Sequence, residues 1–143
     1  MKPQLLLRAA AVFALLFAIG HTMGAPWTPA TGVAEKALIE SMKLLHFDAM
    51  GAERSYWDFY YGFGASITVY LAAQAAILWQ IAGMAKTDAR RVRPMLVTLL
   101  LSFLLIGALT LKFFFAAPLV LSAIICVLLV LAWVKAGSTS GVA

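Results

Sequence analysis

From Pro94 to Val134 the chain runs through apolar side chains, broken by one charge, Lys112, and by Pro118. That stretch is about twice the ~20 apolar residues that carry a helix across a hydrocarbon core ~30 Å thick. It must fold back on itself, which predicts one helix over 94–112 and another over 118–135, with the proline tolerated in a first turn. Two further apolar runs, about 5–25 and 56–84, have the length of spans. The second of these exceeds what a bilayer needs, so it should tilt or project beyond the headgroups. Hydrophobic residues make up 64% of the 143 and charged residues 12%, far from the roughly 45–50% apolar share of a soluble domain. The fold class expected is all-α: an integral membrane four-helix bundle in a single transmembrane domain.

The first run follows Lys2 and Arg8 in the manner of a signal peptide. It continues to Ala25 with no small-x-small site after it, so it is read as the first span. Between about 29 and 50 lies an amphipathic segment in which Glu35, Lys36, Glu40 and Lys43 share one helical face. Ala34, Leu38, Met42 and Leu45 share another. Thr28 before Pro29 predicts its start, and its character predicts a helix lying on the membrane surface. Lys2, Arg8, Lys86, Arg90, Arg91, Arg93 and Lys135 mark the two termini and the second loop, so both termini are expected in the cytoplasm. The net charge of +5 is then a topology signal and not a nucleic-acid-binding face. Trp27, Tyr56, Trp57 and Tyr60 fit an outer aromatic belt, and Trp79 and Trp133 an inner one. The tail GSTSGVA reads as a frayed end.

In this register His21, Asp58 and Lys112 all fall near the outer ends of their spans, with Tyr60, Tyr61 and Thr110 close by. Ionisable groups at the edge of a bilayer face the bundle or a wet cavity and pair with one another, which makes this set a candidate ligand site. Phe59 and Phe63 would line an apolar pocket beneath the polar rim, with the amphipathic segment as a lid. Each residue also has a plainer role. Ser55-Tyr-Trp-Asp58 has the spacing of a capping box, His21 suits an interfacial histidine, and Lys112 can snorkel outward. Gly20 and Gly24 have the GxxxG spacing of closely approaching helices, and Gly62 and Gly64 thin a face of the second span in the same way.

The pattern excludes several chemistries. The single cysteine, Cys126, permits neither an internal disulfide nor a redox pair. His21 and His46 lack ligand spacing, so no metal and no cofactor is expected. Gln74 is nearly alone among polar residues in mid-span, which leaves no polar track for transport.

GHTMGAPW, GAERSYWDFYYGFG and the later LWQ together resemble a family of small four-helix inner-membrane proteins of bacteria that carries no assigned reaction. The resemblance covers the first two spans and their connection. It implies a bacterial inner-membrane location and transfers no catalytic residue. The paired cysteines of disulfide-coupling enzymes and the acidic clusters of sterol isomerases are absent. The functional expectation is binding of a lipid-like or lipophilic small molecule in an outward-facing, polar-rimmed pocket, with membrane lipids and a second copy of the chain as partners. The alternatives are a small membrane enzyme, with His21 shuttling protons, Asp58 orienting it and Lys112 or Tyr61 stabilising charge, and a packing subunit associating through Gly20 and Gly24.

Overall fold

A computed structural model describes residues 1–24 and 27–138. Five helices and one hairpin follow in the order α1 (Pro3–Gly24), α2 (Val33–Leu44), β1 (His46–Ala49), β2 (Ala52–Ser55), α3 (Tyr56–Met84), α4 (Arg93–Phe113) and α5 (Ala116–Ser138). Four of the helices, α1, α3, α4 and α5, are long and apolar enough to cross a membrane. Pro94 stands in the first turn of α4 and Pro118 in that of α5, where the missing N–H costs nothing. The expected end of the first run at Ala25 lies outside the described residues, as do residues 139–143 of the tail. Gly137 and Ser138 of that tail belong to α5.

The chain divides into two compact units, Met1–Phe17 with Leu71–Ala143, and Ala18–Tyr70. The core of the first unit draws on all four long helices: Leu7 and Ala10 of α1, Leu78 of α3, Leu96 and Phe103 of α4, and Ile125 and Leu129 of α5 are fully or almost fully buried. Side chains on the opposite faces are equally apolar. Leu105 is 66% exposed and Leu111 72%, where a water-facing helix would place charges.

Helices α4 and α5 pack against each other as a hairpin. A Cβ at Gly107 would stand 3.7 Å from the Ser122 Cβ and 4.0 Å from Leu119, an ordinary van der Waals contact, so the pair is close enough there to take a methyl group but not a long side chain. Gln74 Nε2 of α3 donates to Ser102 Oγ of α4 at 3.2 Å, pairing the mid-span amide with a hydroxyl. Three of the unit's cations, Arg8, Arg93 and Lys2, lie at its indoles or its α3–α4 loop. The Arg8 guanidinium lies 5.2 Å from the Trp79 ring and that of Arg93 3.9 Å from Trp133. Lys2 lines a cavity with residues 85–90.

In the second unit, the segment expected to be one amphipathic stretch over 29–50 is a shorter helix followed by a hairpin. Helix α2 begins at Val33, not at Pro29, and the Thr28 hydroxyl donates instead to the Gly24 carbonyl at 2.9 Å. The Glu35 carboxylate sets the start by accepting the Thr31 N–H and hydroxyl at 2.7 and 3.0 Å. Beyond Leu45 the chain reverses. Ala49 pairs with Ala52, so the turn is Met50-Gly51, with φ of 57° and 90°. Positive φ at both central positions is the type I′ pattern that matches strand twist. Asp48 Oδ1 secures it by accepting the Gly51 N–H at 2.7 Å. Phe47 packs its ring 5.0 Å from Tyr56 and 5.3 Å from Phe59, docking the hairpin on the start of α3.

Candidate functional site

Ser55 is the cap of α3, and the reciprocal arrangement is complete. The Asp58 N–H donates to Ser55 Oγ at 3.2 Å, while the Ser55 N–H and hydroxyl donate to Asp58 Oδ2 at 2.8 and 2.9 Å. This capping box satisfies otherwise orphaned helix donors. Both acceptor contacts on Asp58 fall on one oxygen and come from its own cap.

His21 lies elsewhere along α3. Its Nδ1 is 3.0 Å from Thr68 Oγ1, and the Thr22 hydroxyl lies 3.1 Å from the same oxygen. Thr68 is ten residues beyond Asp58, or about 15 Å along a helix at 1.5 Å per residue. The expectation that His21 and Asp58 share one depth is therefore corrected. The first three turns of α3 run past the level of His21, and Trp27 packs beside them. The Trp27 indole N–H donates to the Thr22 carbonyl, and the Trp27 ring stacks edge-on to Tyr61 at 5.3 Å. Asp58 does not orient His21; Thr68 holds it.

Lys112 and Thr110 belong to the other unit. The Lys112 ammonium lies 5.2 Å from the neighbouring Phe113 ring. Thr110 is buried and donates to the Ile106 carbonyl at 2.9 Å, its hydroxyl turned onto its own helix. Tyr60 packs against Trp57, Tyr61 against Trp27 and Trp57, and Phe63 against Phe59. A Cβ at Gly20, Gly24 or Gly62 would meet nothing within 4 Å. Those three glycines therefore close no contact among the described residues. His21, His46 and the acids form no metal-holding group among the described residues.

The structure instead forms a cavity at a place the sequence did not single out. A space of about 510 Å³ in the second unit is lined by Trp27, Pro29, Lys36, Ile39, Glu40, Lys43 and Trp57, with Thr28 and Ala30. Lys36, Ile39, Glu40 and Lys43 recur at intervals of three, four and seven and so form one face of α2. Trp27, ahead of α2, and Trp57, in the first turn of α3, supply the aromatic walls. Lys43 Nζ is 3.1 Å from Glu40 Oε1 and 5.6 Å from the Trp57 ring. Lys36, Glu40 and Lys43 of the charged face of α2 thus line this cavity and stay open to solvent, the Lys43 and Glu40 side chains being 46% and 65% exposed, and Leu38 on the apolar face is 60% exposed. A concave site with indole walls and a few placed charges can hold a small amphipathic molecule. The 36/39/40/43 spacing is legible in the sequence, whereas the hairpin that turns the chain from α2 back toward Trp57 is not. No protein family, curated protein or solved structure matches the chain.

Proposed function

We propose that this is a multi-pass protein of a bacterial inner membrane, with four spanning helices in a bundle and both termini in the cytoplasm, that binds a lipid-like amphiphile at its outward face. The four long helices with apolar outer surfaces support the membrane assignment. The gathering of Lys2, Arg8, Lys86 and Arg93 around Trp79, Trp133 and the α3–α4 loop supports a cytoplasmic placement of that end.

The observation that carries the binding function is the cavity between the charged face of α2 and the indoles of Trp27 and Trp57. Its size suits a headgroup and the first part of its tail. The indoles match the amphipathic depth at which headgroup meets hydrocarbon. This reading moves the ligand site away from His21, Asp58 and Lys112 and keeps its outward, polar-rimmed character.

The test is native mass spectrometry with lipid extraction on protein purified gently from its own membranes. A bound amphiphile at one copy per chain is expected, and replacing Trp57 and Trp27 together with alanine should lower its retention about tenfold or more, the scale of losing buried aromatic anchors. Unchanged retention in the double variant would sink the assignment.

A further inference from the structure

The charges on the cavity wall select among amphiphiles. Lys36 and Lys43 face it with Glu40, leaving an excess of positive charge. The nearby acid Glu35 is spent on Thr31 at the start of α2. We propose that the cavity takes the phosphate of an anionic lipid, with Lys36 and Lys43 as its anchors and Glu40 as the counter-ion that the phosphate displaces from Lys43. This rests on the reading that the cavity binds an amphiphile.

Two indoles around a pocket also suit a quaternary ammonium group. Here, however, Lys43 already stands over the Trp57 face, and a second cation would meet two ammonium groups against one carboxylate. An anion meets the reverse. The Lys43–Glu40 pair is i,i+3 and open to solvent, with side chains 46% and 65% exposed. Such a pair is weak and readily exchanged, whereas a phosphate offers Lys43 more charge and several acceptor oxygens. Ile39, Pro29 and the two indoles give the rest of the wall an apolar lining, which free phosphate would leave unused. A lipid phosphate uses both parts.

The experiment titrates the full chain in neutral detergent micelles with short-chain phosphatidylglycerol, short-chain phosphatidylcholine and inorganic phosphate, reading occupancy by native mass spectrometry. Phosphatidylglycerol should bind more tightly than the other two. Lys36→Gln and Lys43→Gln should each weaken it about fivefold, the size of one basic contact at a membrane surface. Glu40→Gln should strengthen it, because Lys43 is released. Glu40→Gln weakening and Lys43→Gln strengthening would overturn the proposal in favour of a cationic head. Unchanged affinity in both lysine variants would overturn it while leaving the cavity as an amphiphile site, and equal binding of inorganic phosphate would overturn the choice of a lipid. Loss of no probe in the Trp27→Ala/Trp57→Ala variant would remove the underlying amphiphile reading itself.

Discussion

Ser55 shows how much of this protein is decided between neighbours. It is 4% exposed, and its N–H and hydroxyl both reach Asp58. Ser55→Ala should therefore cost about 1 kcal/mol, the usual loss of a helix cap. Asp58→Asn should cost less, because an amide oxygen still accepts the Ser55 N–H. Thermal unfolding in detergent micelles, with amide exchange at the start of α3, would check the order. Loss of lipid retention in Asp58→Asn at unchanged stability would return Asp58 to the ligand site. The capping box was legible because its partners are three residues apart. The His21 bond to Thr68 spans 47 positions, and nothing local to either residue points to the other.

Among elements, the glycines separate what sequence spacing suggests from what packing uses. Gly20 and Gly24 have the better-known spacing, yet a Cβ at either would meet nothing within 4 Å among the described residues, whereas Gly107 faces Ser122 and Leu119 across the α4–α5 contact. Gly107→Leu should overpack that contact and destabilise the protein by about 1–3 kcal/mol. Gly20→Leu should leave unfolding nearly unchanged. Unfolding of both variants in mixed micelles would decide, and a stable Gly107→Leu protein would contradict the close approach. The β1–β2 hairpin escaped the sequence reading for a related reason. Its turn is Met50-Gly51, and methionine at positive φ lacks the Asn-Gly or Asp-Gly signature that announces a type I′ turn. The neighbouring helical pattern of α2 was strong enough to be extended over it.

For the whole molecule, topology is the first property to measure. In a Cys126→Ala background, a cysteine replacing Glu53 in β2 should react with a membrane-impermeant maleimide added to intact cells. One replacing Arg91, in the α3–α4 loop, should react only after permeabilisation. The reverse pattern would invert the proposed orientation, and labelling of both from outside would rule out an odd number of spans between the outer face and that loop. The prediction belongs at this scale because the positive-inside bias sums over all loops, and no single cation decides it.

The number and length of the long helices were set by the sequence alone, because they answer to the solvent. A run of ~20 apolar side chains requires a helix whose backbone satisfies its own polar groups, whatever its neighbours are. The start of α3 was equally local. What α2 faces was decided only by tertiary structure. Its amphipathic pattern identifies two faces but not which surface each one meets. That choice depends on a reversal at Met50-Gly51, on Phe47 docking against Tyr56 and Phe59, and on α3 extending far enough past His21 to bring Trp57 opposite Lys43. The candidate site lies where these non-local contacts meet, among residues that each had an adequate local explanation.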